Sequence, residues 1–82
     1  MTEEIFARIR KIISAQLGVD ETEITPGSHL QEDLNADPLS VADLIVRLEE
    51  EFNIKIPQGQ IANFLTVEDI LNFISDQTGE IN

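Results

Sequence analysis

The stretch from Asp37 to Phe52, DPLSVADLIVRLEEEF, constrains the fold of this chain more than any other. Its apolar side chains recur three or four positions apart, which is the spacing of one buried face of an α-helix. The predicted inner face consists of Leu39, Ala42, Leu44, Ile45, Leu48 and Phe52. Asp37 is the expected N-cap, Pro38 suits the first helical position, and Asn53 can form a left-handed C-cap. We therefore predict an amphipathic helix with an acidic outer face.

A second amphipathic helix is predicted from about Thr2 to Leu17. Its apolar positions follow the helical repeat and include Ile5, Ile9, Ile12 and Ile13. Thr2 can cap the start of the helix. Gly18 is a natural stop, because glycine readily adopts the left-handed conformation that ends many helices.

The last predicted helix begins at Thr66 and ends near Gly79. Residues 66–69, TVED, are close to a capping box, in which side chains and backbone groups of the first turn hydrogen-bond reciprocally. Leu65 and Ile70 have the spacing of a hydrophobic staple across this helix start. The predicted buried face consists of Val67, Ile70, Leu71, Phe73 and Ile74.

The remaining segments predict loops and one minor helix. Residues 19–35 form a long loop that needs apolar anchors, because an unpinned loop of this length is unusual in so small a domain. The expected anchors are Val19, Ile24, Leu30 and Leu34. Residues 54–57, IKIP, have no second strand to pair with and predict an extended connector. Residues 58–63 predict one or two helical turns.

The fold class that follows is all-α. We predict a small four-helix bundle with three sizeable helices, one short helix and a long first loop. The chain is expected to form a single domain over residues 1–82, with a core of about residues 2–78 and a loose tail from Gly79.

Charge limits the partners that the protein can have. Sixteen acidic and five basic residues give a formal net charge of −11. This charge argues against nucleic acid as a partner, since phosphate is repelled, and favours basic protein surfaces. No apolar run is long enough to cross a membrane, and residues 1–4 are acidic where a signal peptide is basic. With no cysteine in the chain, we expect a cytoplasmic monomer without a membrane partner.

The sequence offers no catalytic constellation. It has no cysteine and no Gly-rich phosphate loop, and His29 is the single histidine. Because His29 has no cysteine or second histidine near it, we interpret it as a surface loop residue rather than a ligand or base. The acidic run of residues 49–51 lacks the oxygen-ligand loop of a dedicated metal site. We therefore predict a protein that is not an enzyme and has no metal centre.

Four short stretches, taken in order, give the chain a family resemblance. They are II and QLGV within residues 12–19, EDLNAD at 32–37, LEEEF at 48–52, and IP at 56–57 followed by TV at 66–67. This order resembles the acyl carrier proteins of bacterial fatty-acid synthesis, whose usual pattern is E-D-L-G-A-D-S-L, L-E-E-E-F, I-P and T-V. The likeness covers residues 9–76 without insertion or deletion. It implies a four-helix bundle that holds acyl groups as thioesters on a phosphopantetheine arm, which is joined to the serine of D-S-L.

That attachment serine is replaced by Pro38 in this chain. Asp37 and Leu39 flank the position and secure the register. Proline has no hydroxyl and cannot form the phosphodiester, although its fixed φ suits the first position of a helix. Ser40 is the nearest hydroxyl, about 200° further round the helix and close to an N-terminus that favours phosphate. The family thus implies phosphopantetheine as the cofactor, and Ser40 is the candidate substitute attachment site.

The resemblance also implies a docking surface. In the family, acids of the second helix meet basic patches on synthase enzymes and on the phosphopantetheinyl transferase that adds the arm. The matching positions here are Asp37, Asp43, Glu49 and Glu50, with Val46 as the apolar residue among them. The chain departs from the pattern at residues 58–60, QGQ, where the family is usually acidic, and at Asn35, where the family has glycine.

Two functions of different classes remain open at this point. One is a working acyl carrier in which Ser40 or another arrangement holds the arm. The other is an unmodified acyl-carrier-like interaction module that docks without cargo. An acidic bundle unrelated to acyl metabolism explains the charge but not the order of the motifs. We expect an acyl-carrier-type role in fatty-acid or related acyl-chain synthesis, with docking through the acidic second helix and an atypical attachment site.

Overall fold

The computed structural model describes residues 2–78 and is helical in its regular structure over that range. Its α-helices are α1 (Thr2–Leu17), α2 (Pro38–Phe52), α3 (Gln58–Ile61) and α4 (Val67–Thr78), with a short 3-10 helix at Glu21–Glu23. The prediction of three sizeable α-helices, one short helix and a long first loop is confirmed. The expected tail from Gly79 lies outside the described residues, and so does the side chain of Thr2, the predicted cap of α1.

The core lies where α1 packs against α2 and α4. Its fully buried side chains come from these helices and from the first loop: Ile9, Ile13, Ile24, Leu30, Leu44, Leu48, Val67, Ile70 and Ile74. No residue of α3 is buried, so this short helix lies at the edge of the bundle. Each aliphatic side chain stabilises the fold by roughly 1.5–3 kcal/mol on full burial. This packing holds the inner face of α2 and leaves its opposite face to solvent.

Two residues assigned to the inner face of α2 lie on its outside, and that part of the prediction is wrong. Leu39 is 73% exposed, and Ala42 is also exposed. The reason is geometric, since 100° per residue places position 39 about 180° from the fully buried Leu48. Val41 is partly buried against the core in their stead. An apolar side chain within a helical repeat therefore does not by itself identify the buried face.

The long first loop is held at the predicted positions. The anchors that are buried or packed against the core are Val19, Ile24, Leu30 and Leu34. The Leu30 N–H donates to the Leu65 carbonyl at 2.9 Å, which joins the loop to the segment before α4. The 3-10 helix within this loop was not expected. Asp20 caps it by accepting a hydrogen bond from the Thr22 N–H at 2.9 Å.

Both ends of α2 have the predicted caps. Asp37 Oδ1 accepts a hydrogen bond from the Ser40 N–H at 2.7 Å, and Pro38 begins the helix. Asn53 closes the helix with a left-handed φ of 55°. Asn35, in the loop before α2, has a φ of 58°. Asparagine tolerates this conformation better than most residues, so it can replace the glycine of the family pattern.

The start of α4 confirms one prediction and corrects another. Thr66 and Asp69 form the capping box: the Thr66 N–H donates to Asp69 Oδ2 at 3.0 Å, and the Asp69 N–H donates to Thr66 Oγ1 at 3.3 Å. The expected staple between Leu65 and Ile70 is not a buried contact, because Leu65 is 56% exposed while Ile70 is fully buried. Polar contacts to Asp69, including one from the Leu65 N–H at 2.9 Å, fix this segment instead.

Candidate functional site on helix α2

The start of α2 is organised by the carboxylate of Asp37. This carboxylate accepts a hydrogen bond from the Ser40 N–H at 2.7 Å, which satisfies a backbone donor that has no partner within the helix. The hydrogen bond from the Ser40 N–H, with a smaller contribution from the Ser40 hydroxyl, lowers the pKa of Asp37. The start of α2 therefore holds a charged carboxylate at neutral pH.

The residues at this start do not fit a phosphopantetheine arm at the family position. Pro38 is exposed but has no hydroxyl from which a phosphodiester could be made. The hydroxyl of Ser40 lies close enough to Asp37 to lower the pKa of its carboxyl. A phosphate joined to Ser40 would lie beside this negative charge and meet electrostatic repulsion. The family's attachment serine also follows an aspartate directly, so this repulsion does not decide the question. Attachment at Ser40 stays a prediction.

The outer face of α2 is a row of exposed side chains. We use this name for Leu39, Asp43, Val46 and Glu50. Their spacing of three and four residues places them in one line along the helix, opposite the buried Leu44 and Leu48. Leu39 is 73% exposed and Val46 is 51% exposed, so two large apolar side chains lie in water beside two carboxylates. Helical spacing shows that these four positions share one line, and the packing of α1 against α2 decides that this line faces outward.

Glu49, one of the predicted docking acids, has a structural contact instead of a free carboxylate. Its Oε2 accepts a hydrogen bond from the Ile56 N–H at 2.7 Å. Glu49 is half-buried, whereas Asp43 and Glu50 are exposed. The contact holds the connector that follows α2 against the helix. No local pattern in the sequence indicates it, because the two residues meet only once the chain has turned after Asn53.

Glu51 is also engaged, through an ion pair between α1 and α2. Arg8 Nη2 lies 2.8 Å from Glu51 Oε2, and Arg8 Nε donates to the same oxygen at 3.0 Å. The Arg8 guanidinium also stacks over the Phe52 ring, 4.3 Å from its centroid. This cluster joins two helices at their surface. Within residues 2–78, the acids of α2 therefore divide into a held pair, Glu49 and Glu51, and a pair without such contacts, Asp43 and Glu50, which we call unengaged.

His29 and a groove beside α2 complete the site. The groove has a volume of about 430 Å³ and is lined mainly by apolar side chains of α2, α3 and the segment after α3, with Pro38 and His29 at its wall. His29 Nδ1 accepts hydrogen bonds from the N–H groups of Gln31 and Glu32 at 3.3 and 3.2 Å. His29 is thus a half-buried loop residue whose ring nitrogen stabilises a turn. Sequence periodicity did not indicate the groove, since its wall comes from three separate segments.

Residues 2–78 lack two features, a metal-binding cluster and a membrane-spanning helix. Within this range, no three side chains of His, Asp or Glu converge on a position that could hold a metal ion. In the same part of the chain, no helix has the length and apolar character needed to cross a membrane.

Comparison with known proteins identifies this small helical domain. The family model for a phosphopantetheine attachment site matches residues 7–74. The acyl carrier protein of Borreliella burgdorferi (strain ZS7) is 48% identical over 77 residues, which cover 94% of this chain and 96% of the relative. The acyl carrier protein of Thermotoga maritima is 40% identical over 77 residues, with 94% and 95% covered. The chain belongs to the acyl carrier protein family, whose members are carriers and not catalysts.

Proposed function

We propose that the protein acts in fatty-acid or related acyl-chain synthesis as an acyl-carrier-type docking module. Its outer face of α2 binds basic surfaces of the synthase enzymes that act on carrier-bound acyl chains. Pro38 leaves the module without a phosphopantetheine arm at the family position. The observation that carries this proposal is the row of two unengaged carboxylates and two exposed apolar side chains on α2.

The composition of this row supports binding to a protein surface. Exposed apolar side chains bordered by charge are typical of interaction sites, where burial contributes affinity and charge contributes orientation. Val46 lies between Asp43 and Glu50, so an apolar contact and two ion pairs can form in one place. The net charge of −11 adds long-range attraction to a basic partner. Such attraction speeds encounter and weakens as salt rises, because the Debye length is about 8 Å at physiological ionic strength.

A loaded carrier that uses Ser40 is the second candidate. Its support is the position of Ser40 in the first turn of α2, where helix N–H groups favour phosphate. Against it, Ser40 lies about 200° round the helix from position 38, where the family attaches the arm. Intact mass after incubation with coenzyme A and a phosphopantetheinyl transferase decides between the two: no added arm supports the unmodified module. An added arm that disappears in Ser40→Ala establishes the carrier instead.

The docking proposal is tested by charge reversal at the two unengaged acids. Asp43→Lys/Glu50→Lys should weaken binding to the condensing synthase of the same host by at least about tenfold, because like charges then meet across the interface. Glu49 is left intact, since its loss would also release the connector after α2. Binding is measured by calorimetry at low and at physiological salt.

A matched control separates docking from net charge. Glu68→Lys/Asp76→Lys makes the same change in charge at two exposed positions of α4. We expect this variant to lose less affinity than the α2 variant, and the difference to persist at physiological salt. Equal losses in the two variants would assign the binding to overall charge and contradict the proposed surface.

A further inference from the structure

Arg47 is the one basic residue of α2, and it lies beside the acids of the outer face. Its side chain is exposed. At 100° per residue, position 47 is about 60° from position 50 and about 40° from position 43 on the helix surface. A partner that contacts Asp43 and Glu50 therefore meets the Arg47 guanidinium at the same time.

Within residues 2–78, both arginines of α1 form ion pairs with carboxylates of the protein, in contrast to Arg47. Arg8 pairs with Glu51 at 2.8 Å, and Arg10 Nε lies 3.6 Å from Glu21 Oε1. Glu51 is four residues after Arg47, but its carboxylate pairs with Arg8. Among residues 2–78, no carboxylate lies within ion-pair distance of Arg47. Its charge is thus available to a partner.

Arg47 also lines a shallow groove between α2 and α1. The groove has a volume of about 400 Å³ and is lined by Gln16, Asp43, Val46, Arg47 and Glu50. Two carboxylates, one guanidinium and one apolar side chain share this small surface. A uniformly basic partner would place a positive charge against Arg47, which is unfavourable, while a partner of mixed charge could satisfy both signs.

We propose that Arg47 is a specificity-determining residue of the docking surface. It selects a partner protein that presents a carboxylate to Arg47, next to basic side chains for Asp43 and Glu50. This inference rests on the proposed function and deepens it, since it names the charge pattern of the partner. Arg47 weakens attraction to any uniformly basic surface and strengthens the fit to the matching one.

The test compares one specific and one non-specific probe. Arg47→Ala should weaken binding to the condensing synthase of the same host by about 1.5-fold to fivefold, the usual range for an exposed ion pair, and Arg47→Glu by more. Both variants should bind poly-L-lysine more tightly than the wild type. Lys55→Ala is the matched control, because it removes one positive charge from an exposed position outside α2. We expect Lys55→Ala to leave synthase binding unweakened.

The outcomes separate this inference from the function on which it rests. If Arg47→Ala binds the synthase as well as the wild type or better, while Asp43→Lys/Glu50→Lys binds poorly, docking stands and the role of Arg47 is overturned. If the wild type does not bind the synthase, the proposed function is overturned and this inference with it. Weaker binding to the synthase together with tighter binding to poly-L-lysine in the Arg47 variants supports the selection of a partner of mixed charge, provided that Lys55→Ala does not show the same pair of changes.

Discussion

The start of α2 and the outer face of the same helix differ in how much of the family's chemistry they retain. At the start, Pro38 occupies the position of the attachment serine, and the Ser40 N–H donates a hydrogen bond to Asp37 Oδ1 at 2.7 Å. Along the outer face, Asp43 and Glu50 remain exposed, with Val46 between them. Position 38 thus lacks the hydroxyl of the family pattern, whereas the residues of the proposed docking face match that pattern only a few residues away.

This difference teaches that docking and attachment depend on separate physical requirements. The first position of a helix needs no N–H partner and a φ near −65°, so Pro38 meets its structural demands fully. The outer face needs only that the opposite face of the helix is packed against the core, which the buried Leu44, Ile45 and Leu48 provide. The absence of the hydroxyl is therefore compatible with the fold and with the proposed docking face.

The largest expected effect comes from restoring the family residue. Pro38→Ser should convert the protein from one that gains no mass to one that gains a phosphopantetheine arm, when incubated with coenzyme A and a phosphopantetheinyl transferase. The physical reason is that the variant supplies the missing hydroxyl on a helix that already has the family's acids. Intact mass spectrometry measures the change directly.

Two controls make this result specific. Pro38→Ala supplies no hydroxyl and should stay unmodified, and Pro38→Ser/Ser40→Ala should be modified as fully as Pro38→Ser. A folded Pro38→Ser variant that no transferase modifies would mean that the outer face has lost its function together with the serine. The contrast between the two regions would then disappear.

The next effect is on stability and separates the inner from the outer face of α2. Leu48 is fully buried, so Leu48→Ala should lower the free energy of unfolding by about 2–5 kcal/mol. Val46 is 51% exposed, and Val46→Ala should change it by less than about 0.5 kcal/mol. Urea denaturation followed by circular dichroism measures both. A large loss of stability in Val46→Ala would show that this side chain supports the fold and is not reserved for a partner.

Local rules predicted much of this molecule from its sequence. The caps at Asp37 and Asn53 depend on neighbouring backbone groups alone, and both are confirmed. The proline at position 38, where the family pattern has serine, was also evident from the sequence alone. Leu39 was misplaced because it lies within a helical run of apolar residues but on the wrong side of it. The helical repeat shows which side chains share one face of the helix. Only the packing of α1 against α2 decides which of its faces is buried.

Contacts between distant segments could not be predicted from the sequence. The Arg8–Glu51 pair depends on how two helices cross, and the bond from the Ile56 N–H to Glu49 depends on the turn after α2. Neither leaves a local signal. These contacts decide which acids of α2 are unengaged, and so the extent of the candidate docking surface needed the structure.

A smaller effect is expected at the Arg8–Glu51 pair. Its side chains are 49% and 42% exposed, so solvent screens the pair and Glu51→Gln should lower the free energy of unfolding by only about 0.2–1 kcal/mol. Arg8→Met should cost more than Glu51→Gln, because it also removes the stacking of the guanidinium on Phe52. Thermal denaturation at low and high salt measures both. A loss in Glu51→Gln equal to that in Arg8→Met would contradict a separate contribution from Phe52.

The smallest effect concerns pH at the start of α2. The hydrogen bond from the Ser40 N–H lowers the pKa of Asp37 below its ordinary value of 3.8, so the folded state holds this proton less tightly than the unfolded state. The resulting stabilisation is complete above pH 3.8 and is lost as the pH falls through the lower pKa of the folded state. Asp37→Asn keeps a side-chain oxygen for the cap but has no charge to titrate.

The difference between the melting temperatures of the wild type and Asp37→Asn should therefore change with pH in one direction. As the pH falls from neutral to below 3.8, the wild type should lose stability relative to the variant. Both proteins are measured in about 0.5 M salt. Removing one acid also relieves charge repulsion in so acidic a protein, and the salt screens this second effect. A difference that stays constant across this pH range would mean that Ser40 does not hold the Asp37 carboxylate in its charged form.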